Sequence, residues 1–135
     1  MSPAPPAPPA PPTGEVAIIF CDVQDSTVLW DRAAIAMHKA LELHDKLIRE
    51  VIADFGCYEV RAKGDAFMIA APDADIALEL CFEAQRRLLE CPWPRAVLDQ
   101  PSASVVEATK GVLLFRGLRV RMGIHSGRPR NHDGD

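Results

Sequence analysis

Two aspartates stand where apolar runs give way to polar turns. Asp22 ends the run VAIIFC, residues 16–21, and Asp65 closes the Lys63-Gly64-Asp65 turn inside CYEVRAKGDAFMIAAP. Taken singly, Asp22 reads as an early helix cap and Asp65 as a hairpin-turn residue. The order of elements set out below makes their strands central, antiparallel neighbours, which brings both carboxylates to one end of a sheet. Like charges repel there unless a cation or proton separates them, and a divalent-metal site is the natural resolution. Such a pair can hold two Mg²⁺ or Mn²⁺ ions, one activating a hydroxyl and the other bridging phosphate oxygens. Between Asp22 and the first helical pattern lies VQDST, residues 23–27. The backbone amides of Gln24, Asp25, Ser26 and Thr27, opening a helix, are placed to receive phosphates. Asp25 is anionic, so its expected place is turned outward, capping that helix.

Other reactive residue types have plainer readings. His44 falls on the apolar face of the first helical pattern and reads as a packed, hydrogen-bonded histidine. His38 faces solvent, His132 belongs to the terminal loop, and His125 has no acid or nucleophile placed beside it. The cysteines at 21, 57, 81 and 91 form no CxxC pair and read as buried thiols. Arg86, Arg87, Arg116, Arg119 and Arg121 read as solvated faces, the last three also as a dimer surface.

The elements that position these groups follow from periodicity. Val16 to Cys21 is apolar and rich in β-branched residues, the pattern of a central strand covered on both faces. Asp25, Ser26 and Thr27 supply cap chemistry for one long amphipathic helix, with apolar or small residues from Trp30 to Ile52 and Gly56 as its stop. Cys57–Ala62 and Ala66–Ala71 form a hairpin. A second helix runs from about Asp75 to Glu90, capped by Asp73 or Asp75 and ended by Pro92 and Pro94. Cys91 to Gly117 is a long connection whose Gly111–Phe115 portion adds a short strand. Leu118, Val120, Met122 and Ile124 then alternate with polar or small residues as a strand with one buried face. The resulting β-α-β-β-α-β order is an α+β, ferredoxin-like plan with an antiparallel sheet and helices on one face. That plan hosts many functions, so the site has to be argued from its residues.

Composition bounds the rest. The 135 residues hold one domain, and 48% apolar with 25% charged residues is an ordinary globular mixture. A net charge of −4 gives no long-range reason to expect nucleic acid or an anionic membrane as partner. No apolar stretch is long enough to span a bilayer, and the N-terminus lacks the basic and apolar regions of a secretory signal. The expected location is cytoplasmic, with a larger membrane-associated protein as a possible setting. Residues 1–14 are Pro/Ala repeats expected to form a solvated tail, so the folded domain is expected to span 15–135.

Three ordered blocks, IIFCDVQDSTVLW, YEVRAKGDAFMIA and LRVRMGIHSG, resemble the class III adenylate and guanylate cyclase domain, especially its fungal and trypanosomal adenylate cyclase branch. The likeness runs from Glu15 to Gly127. It implies that Asp22 and Asp65 are the metal-binding aspartates, that Val23 offers a backbone carbonyl to one ion, and that the triphosphate lies over Gln24 to Thr27. It also implies an intracellular signalling reaction. The ribose 3′-hydroxyl of ATP or GTP attacks the α-phosphate, and a 3′,5′-cyclic nucleotide and pyrophosphate result.

In that family the active site forms between two catalytic domains, so a second cyclase domain is implied as homo- or heterodimeric partner. The position four before the second aspartate carries lysine in adenylate cyclases and glutamate in guanylate cyclases. Here it is Arg61, a departure that keeps donor character and favours cyclic AMP over cyclic GMP. Lys63 is a further departure, placed to pair with Asp65 when no metal is bound. The family's transition-state asparagine and arginine follow the GIHSG strand and lie beyond this sequence. This chain is therefore expected to be the front part of the domain, inactive alone. The alternative is a noncatalytic module that binds nucleotide or metal, or dimerises with a complete partner.

Overall fold

A computed structural model of the protein describes residues 14–127. The expected Pro/Ala tail, apart from Gly14, and the expected terminal loop lie outside the described residues. The elements run β1 (Val16–Val23), α1 (Ser26–Arg32), α2 (Ala34–Asp54), β2 (Tyr58–Lys63), β3 (Ala66–Ala71), α3 (Ala74–Glu90), α4 (Arg95–Leu98), β4 (Val106–Glu107), β5 (Leu113–Phe115) and β6 (Val120–Gly127). Strands β2, β3, β1 and β6 form one sheet in that spatial order, with every pairing antiparallel. The α+β plan expected from the sequence is the one observed.

Alternation along β1 divides the two faces of the sheet. Ala17, Ile19, Cys21 and Val23 join the main core with Phe67, Ile69 and Ala71 of β3. Onto this face α2 brings Met37, Ala40, Leu47, Ile48 and Val51, and α3 brings Ala77, Leu80, Ala84 and Leu88. Ile19 is fully buried, and truncation of such a side chain to alanine costs about 2–5 kcal/mol. Among the described residues no helix covers the opposite face. Val16, Ile18 and Ala70 form a small second cluster there with Tyr58 and Met68, while Phe20 is half exposed. The expectation of a strand covered on both faces is thus corrected at Phe20.

The single long helix is also corrected. It breaks at Ala33, whose backbone (φ −145°, ψ 50°) ends α1 before α2 begins. No proline or glycine marks the break, and it turns Leu29 into the core while Trp30 is only partly buried. The second helix follows expectation more closely. Asp73 is its cap, its carboxylate accepting from the Ile76 amide at 2.8 Å.

The connection from Cys91 to Gly117 is more ordered than its composition suggests. Trp93 is buried, its indole donating to the Leu88 carbonyl at 2.8 Å. The expected short strand appears as β5, paired with β4 in a separate two-stranded sheet. β6 begins at Val120 and sits at the sheet edge, and Ile124, expected on its buried face, is 39% exposed.

One irregularity matters for the site. Between Glu59 and Arg61 the β2–β3 register slips, so Glu59 pairs with Ile69 and Arg61 with Met68, leaving Val60 as an extra residue. Such bulges re-aim the side chains that follow them.

Candidate active site at the end of the central strands

Asp22 occupies the last turn of the β1 pleat, on the helix-free face shared with Ile18 and Phe20. The β1–β3 pairing runs from Ala17↔Ala71 to Cys21↔Phe67. Continued by one step, that register sets Asp22 against Ala66, the residue next to Asp65. Both carboxylates therefore lie at the same end of the sheet. Asp65 sits in the turn between β2 and β3, where Gly64 takes φ +60°, a conformation that costs glycine little.

Asp22 borders a concavity of about 600 Å³ on the open face, lined also by Phe20, Arg61, Lys63, Met68 and Arg121, and by Ala66, the residue next to Asp65. One carboxylate and three cationic side chains thus line it. The pairing in this cluster departs from expectation. Lys63 was expected to pair with Asp65, yet among the described residues Asp65 forms no ion pair. The ion pair belongs instead to Asp22 and Arg121. These two stand directly opposite each other on β1 and β6, and the guanidinium donates through Nε and Nη2 to the two carboxylate oxygens at 2.8 and 2.9 Å. The Asp22 hydrogen bond and charge hold the Arg121 guanidinium even more firmly protonated than usual, and Asp25 and Asp65 add to the effect.

Arg121 is the site residue that sequence reasoning missed. An arginine alternating with apolar residues on a strand reads as solvated, and only the β1–β6 register shows what it touches. The other two arginines of that group are corrected as well. Arg116 donates to the carbonyls of Leu89 and Cys91, and Arg119 donates to those of Gly117 and Ser104. Both brace the connection before β6.

The loop from Val23 to Thr27 has its own corrections. Asp25 is the N-cap residue of α1 but adopts a left-handed backbone (φ 56°, ψ 30°) and makes no side-chain cap bond. The Gln24 amide donates to the Arg119 carbonyl at 2.8 Å, so it is not free for a phosphate. The amides of Asp25, Ser26 and Thr27, at the start of α1, remain as donors.

The donor set suits an ion shared with a substrate. Among the described residues no cluster of three or more His, Cys, Asp or Glu side chains could enclose a metal. Mg²⁺ is commonly bound by one or two carboxylates, with phosphate and water oxygens completing its shell. Asp22, Asp65 and the Val23 carbonyl fit that pattern.

The adenylate and guanylate cyclase catalytic domain profile matches residues 9–130. The chain belongs to this family. This cyclase-family chain is 46% identical over 116 residues to an adenylate cyclase of Mycosarcoma maydis, covering 86% of itself and 5% of that protein. It is 42% identical over 117 residues to an adenylate cyclase of Neurospora crassa, covering 87% of itself and again 5% of the relative. It therefore spans about one-twentieth of the length of these curated relatives. Among solved structures, a Trypanosoma brucei adenylate cyclase in its monomeric state superposes with a TM-score of 0.76 at 31% identity, covering 87% of this chain and 58% of that one. Among the described residues of the cyclase-family chain, no helix is long and apolar enough to cross a membrane.

Proposed function

We propose that this chain forms the metal- and phosphate-binding part of a purine nucleotide cyclase domain, which converts ATP, in preference to GTP, into a 3′,5′-cyclic nucleotide and pyrophosphate. The observation that carries the reading is the arrival of Asp22 and Asp65 at one end of the sheet, beside a loop that opens a helix, in a chain of the cyclase family. Asp22, the Val23 carbonyl and Asp65 are the donors for two Mg²⁺ or Mn²⁺ ions. Bound there, the ions supply Lewis acidity to the ribose 3′-hydroxyl and neutralise phosphate charge.

The chain's own residues bind and orient. Asp22 is carried by the central strand and Asp65 by a two-residue turn, so both donors rest on backbone fixed by strand pairing. The amides of Asp25, Ser26 and Thr27, with the hydroxyls of the last two, receive the triphosphate, while the Gln24 amide anchors the loop to Arg119. Arg61 faces the same open side, opposite Met68, at the position that reads the base. Its guanidinium has donors only. It can donate to the N1 acceptor on adenine's Watson–Crick edge, whereas on guanine's it can meet only the O6 acceptor and neither the N1–H nor the N2–H₂ donors. A second cyclase domain, as a copy of this chain or a different one, completes the site across the helix-free face where Phe20 is half exposed.

The test joins binding to turnover. Calorimetry of this chain with Mn²⁺ and ATP should show binding, and the whole protein supplied with Mg²⁺ or Mn²⁺ should form cyclic AMP from ATP in preference to cyclic GMP from GTP. Binding without product from the whole protein would favour a noncatalytic nucleotide- or metal-binding module. Absence of both binding and product would defeat the reading.

A further inference from the structure

Each Asp22 oxygen accepts an N–H from Arg121, in a two-pronged contact at 2.8 and 2.9 Å, so a divalent ion bound there must share the carboxylate with the guanidinium or displace it. The strand register presents the two side chains to each other, so the contact does not depend on a loop. Asp22 is short and fixed to a central strand, whereas Arg121 is long, stands on the edge strand and has a side chain 63% exposed. Exposed ion pairs are weak, and an exposed arginine can change rotamer without disturbing a core. An incoming dication and the guanidinium repel each other, so they compete for this carboxylate. Displacing the guanidinium is easiest when the ion arrives with an anion that can accept it.

We infer that Arg121 is the resident counter-ion of the metal site, weakening the hold on a bare divalent ion and favouring an ion that arrives chelated by a polyphosphate. This rests on the metal-site reading above and adds a residue that sets its selectivity. When the chelate enters, Asp22 exchanges one cationic partner for another, and the released guanidinium meets phosphate oxygen. When a bare ion enters, the guanidinium is released without a partner and remains near the new charge. The site is then loaded in one step by the metal–nucleotide complex.

Mn²⁺ binding followed by the electron paramagnetic resonance signal of the free ion tests this on the full chain, first alone and then with a non-cyclisable ATP analogue. For Arg121→Gln, bare Mn²⁺ should bind about 1.5- to fivefold more tightly than in the parent protein, the range expected from losing a weak competing ion pair. The gain should vanish or reverse when Mn²⁺ is presented with the analogue. Lys63→Gln removes a positive charge from the same concavity without touching Asp22, and its effect on bare Mn²⁺ should be clearly smaller. Equal effects at both positions would mean that only the general field matters, overturning the counter-ion role while the metal site stands. Failure of both the parent and the Arg121→Gln proteins to bind Mn²⁺, with the analogue and without it, would overturn the metal-site reading and this inference with it. Should Arg121→Gln not fold, the Arg121 Nε–H resonance of the parent protein decides. The signal should shift when Mg²⁺ and the analogue are added, and an unchanged signal at saturation would overturn the inference.

Discussion

Gly117 lies against the indole of Trp93 so closely that a methyl group on its Cα would overlap the ring. Its φ of +88° is also one that side-chain-bearing residues rarely adopt. Gly117→Ala therefore meets both a steric and a backbone penalty. A loss of about 2–4 kcal/mol is expected, combining overpacking of a buried site with a left-handed alanine. Urea denaturation followed by tryptophan fluorescence checks it, and a midpoint unchanged from the parent protein would show that the ring moves aside freely.

His44 is fully buried, its ring tilted against that of Phe67, its Nδ1 2.9 Å from the Asp45 carboxylate and its Nε2 without a partner among the described residues. Burial lowers its pKa below the usual histidine value, more strongly than the Asp45 hydrogen bond and charge raise it. The unfolded imidazole titrates near 6.5, so above that pH both states are neutral and no stability is lost. As pH falls below 6.5, the unfolded chain takes the proton first and stability declines, by at most about 1.4 kcal/mol per pH unit, until the lowered folded value is reached. Comparing urea midpoints at about pH 7.5 and about pH 5.5 in the parent protein and His44→Leu isolates this contribution. The variant should lose less stability over the interval; equal losses would assign the acid sensitivity to other groups.

For the proposed metal site, the expectation concerns Asp65, which among the described residues has no ion pair to lose. In Asp65→Asn the fold should persist while ligand-linked stabilisation disappears. At a Mn²⁺–nucleotide concentration about 100 times the dissociation constant, linkage gives the parent protein about 2.7 kcal/mol. Thermal melts with and without the complex read this directly, and an undiminished shift in the variant would remove Asp65 from the site.

The four cysteines should behave as interior groups. All four are buried, and burial is the main cause of the rise in each thiol pKa, taking Cys21 to about 12 and Cys57 to about 11. Thiolate is the reactive form, so at neutral pH the native protein should resist a disulfide reagent and release all four thiols only when denatured. Rapid labelling of native Cys21, which neighbours Asp22, would contradict the buried placement of β1.

How much of this was legible beforehand depended on the kind of signal. The continuous apolar run before Asp22 and the alternation around Val120 made the strands readable, and with the split order of helices they placed Asp22 and Asp65 at one end of the sheet. The N-cap role of Asp73 was legible because cap chemistry is local. The break at Ala33 was not, since its neighbours are good helix formers and no breaker interrupts them. Nor was the pairing of Asp22 with Arg121, because contacts between distant strands depend on register and not on residue type. The Gln24 amide likewise found its acceptor, the Arg119 carbonyl, only through the docking of β6.

The unmatched Val60 decides which way Arg61, the proposed base reader, points. In an unbroken ladder Val60 would lie across from Met68, and Arg61 would sit across from Phe67, facing the helices. The slip instead sends Arg61 to the side of Phe20 and Asp22, and leaves Glu59 on the helix side, where Arg49 of α2 grips it at 3.0 Å. Removing Val60 would close the ladder with Arg61 still across from Met68, whereas pairing Val60 into the ladder would turn the arginine to the helix side, out of reach of any base held on the open side. The orientation of Arg61 thus hangs on one residue of slack in an edge strand, which lets two side chains two positions apart face opposite sides of the sheet.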